Sequence, residues 1–199
     1  MGIGAALALV FGNSSAIYID NPFFVFFGQK LDRFTHIDAL QYISMPIVVA
    51  VIVFAIVWVV LYHTPFGRYI IAIGGNESGA RLSGIKTVTN KWLVYILAGA
   101  LSAIGGMVLA ARIQAADSSV GLGMEFNAIA AAIIGGTSFI KGKGGIAGTI
   151  LGVFVIGVTL NGMNVLAIRT YYQPMIIGTV IILAIVFEVI LSRWKEAHK

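Results

Sequence analysis

From Ile43 to Tyr62 the chain reads ISMPIVVAVIVFAIVWVVLY, without one charged side chain. A helix crossing the hydrocarbon core of a bilayer needs about 20 consecutive apolar residues, and no water is available there to satisfy a backbone left outside a helix. Three further stretches are similarly apolar: Trp92 to Ala111 and Gly145 to Ile168, also uncharged, and Pro174 to Leu191, whose one charged residue is Glu188. A fifth, Phe126 to Ile140, is shorter and runs through GGTS, which predicts a tilted, broken or re-entrant helix packed within protein. The expected fold is therefore all-α, a polytopic transmembrane helix bundle with about five spanning or partly spanning helices. Upstream, NPFFVFFG at 21–28 is too short to cross, and its aromatics suit a membrane interface.

Composition supports this class. Hydrophobic residues make up 59% and charged residues 11% of the 199 positions, against about 25% charged in a soluble domain. With a mean hydropathy of +0.96, the apolar surplus has to face lipid. The net charge of +5 reads as loop charge beside lipid headgroups rather than as a footprint for nucleic acid, since no basic run carries interleaved aromatics. The absence of cysteine excludes disulfides, thiol catalysis and Cys-type metal centres. The N-terminus, MGIGAALALVFGNSS, has neither a basic leader region nor a cleavage signature. Its apolar run of about eleven residues falls short of a span, which suggests an interfacial or buried piece, or a chain beginning inside a longer protein.

Loop charges orient the layout. If all five segments cross, alternate loops carry nine basic residues on one side (Arg68, Arg81, Lys86, Lys91, Lys141, Lys143, Arg193, Lys195, Lys199) and four on the other (Lys30, Arg33, Arg112, Arg169). Basic residues accumulate on the cytoplasmic side, so residues 66–91 and the C-terminus are expected inside. Two small-residue stripes, Gly144, Gly148, Gly152 and Ala98, Ser102, Gly106, Ala110, repeat every four positions. That spacing lets another backbone approach closely, the main packing device where lipid supplies no hydrophobic drive.

Chemistry-bearing motifs are sparse. GGTSFIKGKGG at 135–145 falls short of a phosphate-binding P-loop: Thr137 stands where glycine is required and Gly144 where a hydroxyl is required. No nucleotide site or cofactor is expected on this chain. His36, His63 and His198 are isolated, without the clustered partners a metal site demands. The sequon Asn13-Ser14-Ser15 is a pattern common by chance. Within the spans, Asn161 and Asn164 share a helix face and are candidates either for contacting a polar solute or for bonding a neighbouring helix. Glu188 lies near the end of the last span, where a carboxylate reaches the interface more readily than it serves a proton relay.

The longest polar interruption is RYIIAIGGNESGARLSGIKT, residues 68–87. Asn76 suits an N-cap, Glu77 the positive first turn and Gly84 a C-terminal stop, while Glu77 and Arg81 stand four apart. The helix so marked is only about eight residues long, below the length at which isolated helices hold in water. Gly79 weakens it by about 1 kcal/mol relative to alanine. Either the membrane or bundle surface, or a cytoplasmic partner, must hold it.

GRYIIAIGGNESGARLSGI, followed in order by NAIAAAIIGGTSFIKGKGGIAGTILGV and YYQPMIIGTVIILAIVFE, resembles the permease subunit of the ribose-type ABC sugar importers. The resemblance runs from about Phe66 to Glu188, weakly upstream to Met1, and covers about the C-terminal two-thirds of such a subunit. It implies a single permease domain over 1–199, N-terminally incomplete, whose loop 66–91 carries a coupling helix docking into a separate ATPase. Asn76, Glu77, Ser78, Gly79, Ala80, Arg81, Leu82, Ser83, Gly84 and Ile85 would form that docking element. Ser78 and Gly79 stand where helix-favouring residues such as lysine and alanine are common in the family. The implied assembly has a second permease subunit, identical or not, the cytoplasmic ATPase using ATP and Mg, and a periplasmic or lipid-anchored sugar-binding protein, all in a bacterial cytoplasmic membrane.

A branched-chain amino acid permease is the nearest alternative within the resemblance. An ion-coupled secondary transporter or channel would call for paired ionisable residues at mid-membrane, and a non-transporting scaffold would use the same glycine stripes.

Overall fold

The computed structural model describes residues 2–12, 17–21, 24, 26–28, 44–117, 120–138 and 142–197, with side chains at 187–189 and 191–197 and at 2, 3 and 5 left out of the description. Lys30, Arg33, His36, Asn13-Ser14-Ser15, Lys141, His198 and Lys199, the side chains of Glu188, Arg193 and Lys195, and much of 21–28 therefore lie outside the described residues.

Helices dominate: α1 (Gly2–Phe11), α2 (Met45–His63), α3 (Pro65–Gly75), α4 (Glu77–Leu82), α5 (Thr87–Ile113), α6 (Met124–Ile134), α7 (Ile146–Val165) and α8 (Gln173–Ala197). Three of them, α2, α5 and α7, are long and apolar enough to cross a membrane. The segment expected from Phe126 to Ile140 forms the shorter α6, of 11 residues, and Thr170–Val186 is likewise a shorter apolar stretch. Besides the helices, the described residues include a minimal antiparallel ladder between β1 (Ile17–Tyr18) and β2 (Ala115–Ala116).

The chain divides into two compact units. The first comprises residues 1–60 and 88–121, the second 61–87 and 122–199. In the first, the β ladder is extended by the Ile19 amide donating to the Gln114 carbonyl at 3.0 Å. Gly28 presses directly on the Ala111 carbonyl, a place no side chain could occupy. The stripe on α5 is open among the described residues. Ala98, Ser102 and Gly106 are exposed, and a Cβ on Gly106 would meet nothing within 4 Å. The close backbone approach that such spacing permits is not made there among the described residues; instead Gly106 and Ala110 line a cleft of about 330 Å³ with Ala8 and Gly12.

In the second unit α6 and α7 form an antiparallel pair. Gly135 lies against Gly148, and Ala131 against Gly152, with the two backbones in direct contact. Ala130, Ala131, Ile156, Met163 and Ile177 bury themselves behind this contact, so that α8 joins the pair through Ile177. With no Cβ on Gly148 or Gly152, dispersion contacts between main chains replace side-chain interdigitation. Gly144 precedes the helix, and a Cβ there would meet the Thr137 side chain at 2.9 Å.

Candidate coupling site

The polar stretch 68–87 resolves into two helices meeting at an elbow. Thr64 ends α2, Pro65 opens α3 in the first-turn position where its missing N–H costs nothing, and α3 runs for 11 residues to Gly75. Asn76 is the elbow. Its backbone is extended (φ −158°, ψ 101°), its amide donates to the Ala72 carbonyl to close α3, and its side chain opens α4. Asn76 Oδ1 takes the Gly79 amide at 2.9 Å, satisfying one of the donors that a helix start leaves unpaired.

The far end of α4 is closed as tightly. The Gly84 amide donates to the Arg81 carbonyl and the Ile85 amide to the Ala80 carbonyl, both at 3.1 Å, with Gly84 at φ 83°. This pairing is the Schellman arrangement, which needs a left-handed residue at Gly84 and joins apolar residues on either side of it, here Ala80 and Ile85. The Ser83 hydroxyl adds a bond to the Gly79 carbonyl at 3.0 Å. A helix of six residues is below the length that propensity alone sustains; caps at both ends, worth about 0.5–2 kcal/mol at the N-cap alone, supply what length does not.

What α4 presents outward is chemically mixed. Ala80 is buried at 6% exposure while Leu82, two positions on, is 90% exposed. Glu77, Ser78, Arg81 and Ser83 are exposed as well, and Gly79 is half-buried. The outward face of α4 is thus a bare leucine flanked by an arginine and small polar residues.

The neighbouring turn fixes this elbow in place. Gly142, at φ 58°, sits directly on the Gly74–Gly75 peptide at the end of α3. The Ser138 amide donates to the Lys143 carbonyl at 2.7 Å. Arg81, Lys86 and Lys143 therefore occupy the end of the second unit at which α7 begins. At about 1.5 Å per residue, the 20 residues of α7 carry the chain about 30 Å to the opposite end, where Arg169 donates to the Tyr171 hydroxyl at 3.0 Å.

Asn161 and Asn164 lie near that far end, both exposed. Gln173 Nε2 donates to Asn164 Oδ1 at 2.8 Å, so Asn164 fastens the α7–α8 turn. That turn also carries a device hidden from sequence reading: Ala167 adopts φ 53°, with its amide on the Asn164 carbonyl and the Ile168 amide on the Met163 carbonyl. Alanine thus fills the left-handed position that glycine normally takes. No group of three metal-ligating side chains occurs among the described residues.

Comparison with known proteins identifies the family. Residues 1–185 match the family model described as branched-chain amino acid transport system / permease component. The chain is 45% identical over 155 residues to a ribose import permease protein of Bacillus subtilis, covering 78% of this chain and 47% of that protein. A ribose import permease protein of Haemophilus influenzae is 37% identical over 182 residues, 90% of this chain and 56% of that protein. A D-allose transport system permease protein of Escherichia coli is 40% identical over 151 residues, 76% and 46% respectively. The chain spans about half the length of these curated relatives. No solved structure matches.

Proposed function

The chain belongs to the family of branched-chain amino acid transport system permease components, and from that premise we propose that it is the membrane-spanning part of a permease subunit in an ATP-driven importer of a monosaccharide such as ribose. Substrate moves inward by alternating access between paired permease subunits. ATP with Mg is bound and hydrolysed by a separate cytoplasmic ATPase, and the sugar arrives on a periplasmic or lipid-anchored binding protein. Residues 66–91 and the C-terminus lie on the cytoplasmic side of the bacterial inner membrane.

The observation that carries this reading is α4 itself. A six-residue helix capped at both ends by Asn76 and Gly84, with Leu82 at 90% exposure beside Arg81, is built to be rigid and uncovered. In the coupling role those two properties serve one purpose: the helix seats in a cleft of the ATPase and moves with it. Asn161, exposed on α7, is the candidate for contact with the passing sugar.

Purification of the tagged full subunit in mild detergent tests this, with co-purifying proteins identified by mass spectrometry. An ATPase subunit is expected with the parent protein and is expected to be lost on Arg81→Glu, which reverses the charge on the α4 surface. Equal ATPase recovery with Arg81→Glu, or none with the parent in several detergents, overturns the docking role. The family description also supports a second reading, import of branched-chain amino acids. Uptake of labelled ribose against labelled leucine into ATP-loaded vesicles separates the two.

A further inference from the structure

In chain order α3 stands between α2 and α4, and its contacts are unusual. Its single buried residue is Gly67, which rests directly on the Leu61 carbonyl at the end of α2. At the other end, Gly74 and Gly75 rest on Gly142. Between these two points, beneath Ile70 and Ile71, lies a cavity of about 300 Å³ bounded on its far side by Thr137, Gly144 and Thr149. The helix meets main chain closely near both ends, and this cavity runs along its middle.

We infer that α3 is a lever: it pivots where Gly67 meets Leu61 and delivers movement of α4 to the start of α7 through the Gly74–Gly142 contact. This rests on the proposed docking of α4. An 11-residue helix is stiff along its axis, at about 1.5 Å per residue, and one residue, Asn76, separates it from α4. Backbone-on-backbone contact transmits displacement without the slack of a side chain that can change rotamer. Beyond Gly142 only Lys143, Gly144 and Gly145 precede α7, and there Gly148 and Gly152 bring α7 against α6 main chain to main chain. The cavity under Ile70 and Ile71 is the room into which α3 tilts. Gly74 and Gly142 are thus positioning residues for transport, although neither touches substrate or nucleotide.

The test uses the full subunit in complex with its ATPase in lipid nanodiscs. Amide hydrogen exchange is followed at Ala80–Ser83 of α4 and at Thr149–Gly152 of α7, without nucleotide and with ATP plus vanadate. In the parent complex, nucleotide is expected to change exchange at both segments, by about threefold or more. Gly74→Ala places a Cβ 3.1 Å from Gly142 Cα while favouring helix. It is expected to retain the ATPase, its basal hydrolysis and the response at α4, while the response at Thr149–Gly152 falls to less than about half. Gly142→Ala, which adds a side chain at a left-handed position facing the Gly74–Gly75 peptide, is expected to do the same. A merely structural role would shift absolute exchange in both nucleotide states and leave the difference between them.

A parent response at α4 without one at α7 overturns the lever, as does an unchanged α7 response in either folded glycine variant. No response at α4 together with ATPase recovery insensitive to Arg81→Glu identifies failure of the docking reading, which removes the lever with it.

Discussion

Gly135 and Gly148 meet main chain to main chain: a Cβ on Gly135 would stand 2.5 Å from the Gly148 carbonyl oxygen, and one on Gly148 would run into the Gly135 carbonyl. Four residues on, Gly152 meets Ala131 in the same way. This double contact sets the distance between α6 and α7, and the core of Ala130, Ile156 and Met163 follows from it.

Substitution of Gly148 or Gly152 by alanine is expected to force the two helices apart and to destabilise the protein by about 1–3 kcal/mol. Gly157→Ala on the same helix, where a Cβ meets nothing within 4 Å, is expected to be neutral or up to about 1 kcal/mol stabilising. Thermal unfolding in detergent checks the contrast, and equal effects at the two kinds of site would refute the close-contact assignment.

The left-handed residues at two helix ends predict opposite outcomes. Gly84→Ala has open space for its Cβ and is penalised only by φ 83°, about 1–2 kcal/mol. Ala167→Gly relieves that same strain at φ 53° and is expected to stabilise by about 1 kcal/mol. Both are read from unfolding midpoints; an unchanged or lowered midpoint for Ala167→Gly would count against the left-handed turn.

Loss of the N-cap in Asn76→Ala is expected to weaken α4 by about 0.5–2 kcal/mol. The effect is local, so exchange at Ala80 and Ser83, whose amides bond to Asn76 and Gly79, should accelerate by about 2- to 30-fold. The spanning helices should be unaffected. Recovery of the ATPase should fall in parallel, and a frayed α4 that still held the ATPase fully would argue for docking elsewhere.

Asn161 and Asn164 should separate by phenotype. Asn164→Ala and Gln173→Ala are each expected to cost about 0.5–1.5 kcal/mol, and the double variant no more than either, because both break one hydrogen bond. Asn161→Ala is expected to leave stability within about 0.5 kcal/mol while slowing sugar uptake. Normal uptake by Asn161→Ala would remove it from the substrate path.

The chain lacks cysteine, so single cysteines report orientation without background. A cysteine at Ser83 is expected to react with an impermeant maleimide only in inside-out vesicles, and one at Tyr171 only in right-side-out vesicles. The reverse pattern would invert the orientation read from the basic loops.

What the amino-acid sequence determined by itself is whatever depends on neighbours a few positions apart. Uncharged runs such as Ile43–Tyr62 leave the membrane as the one environment for so much apolar surface. Asn76 and Gly84 bracket α4 because a cap bonds to amides or carbonyls three to five residues away.

What only the tertiary structure decided depends on how helices cross. Two small-residue stripes look equivalent in sequence, yet Gly148 and Gly152 are closed by α6 while Ala98, Ser102 and Gly106 are open among the described residues. Four-residue spacing makes a flat surface without naming what lies on it. The contact between Gly74 and Gly142 joins positions far apart in the chain, and the left-handed Ala167 contradicts the preference of its own residue type. In both, the energy of packing and of neighbouring hydrogen bonds exceeds the local preference, and that balance exists only once the helices are assembled.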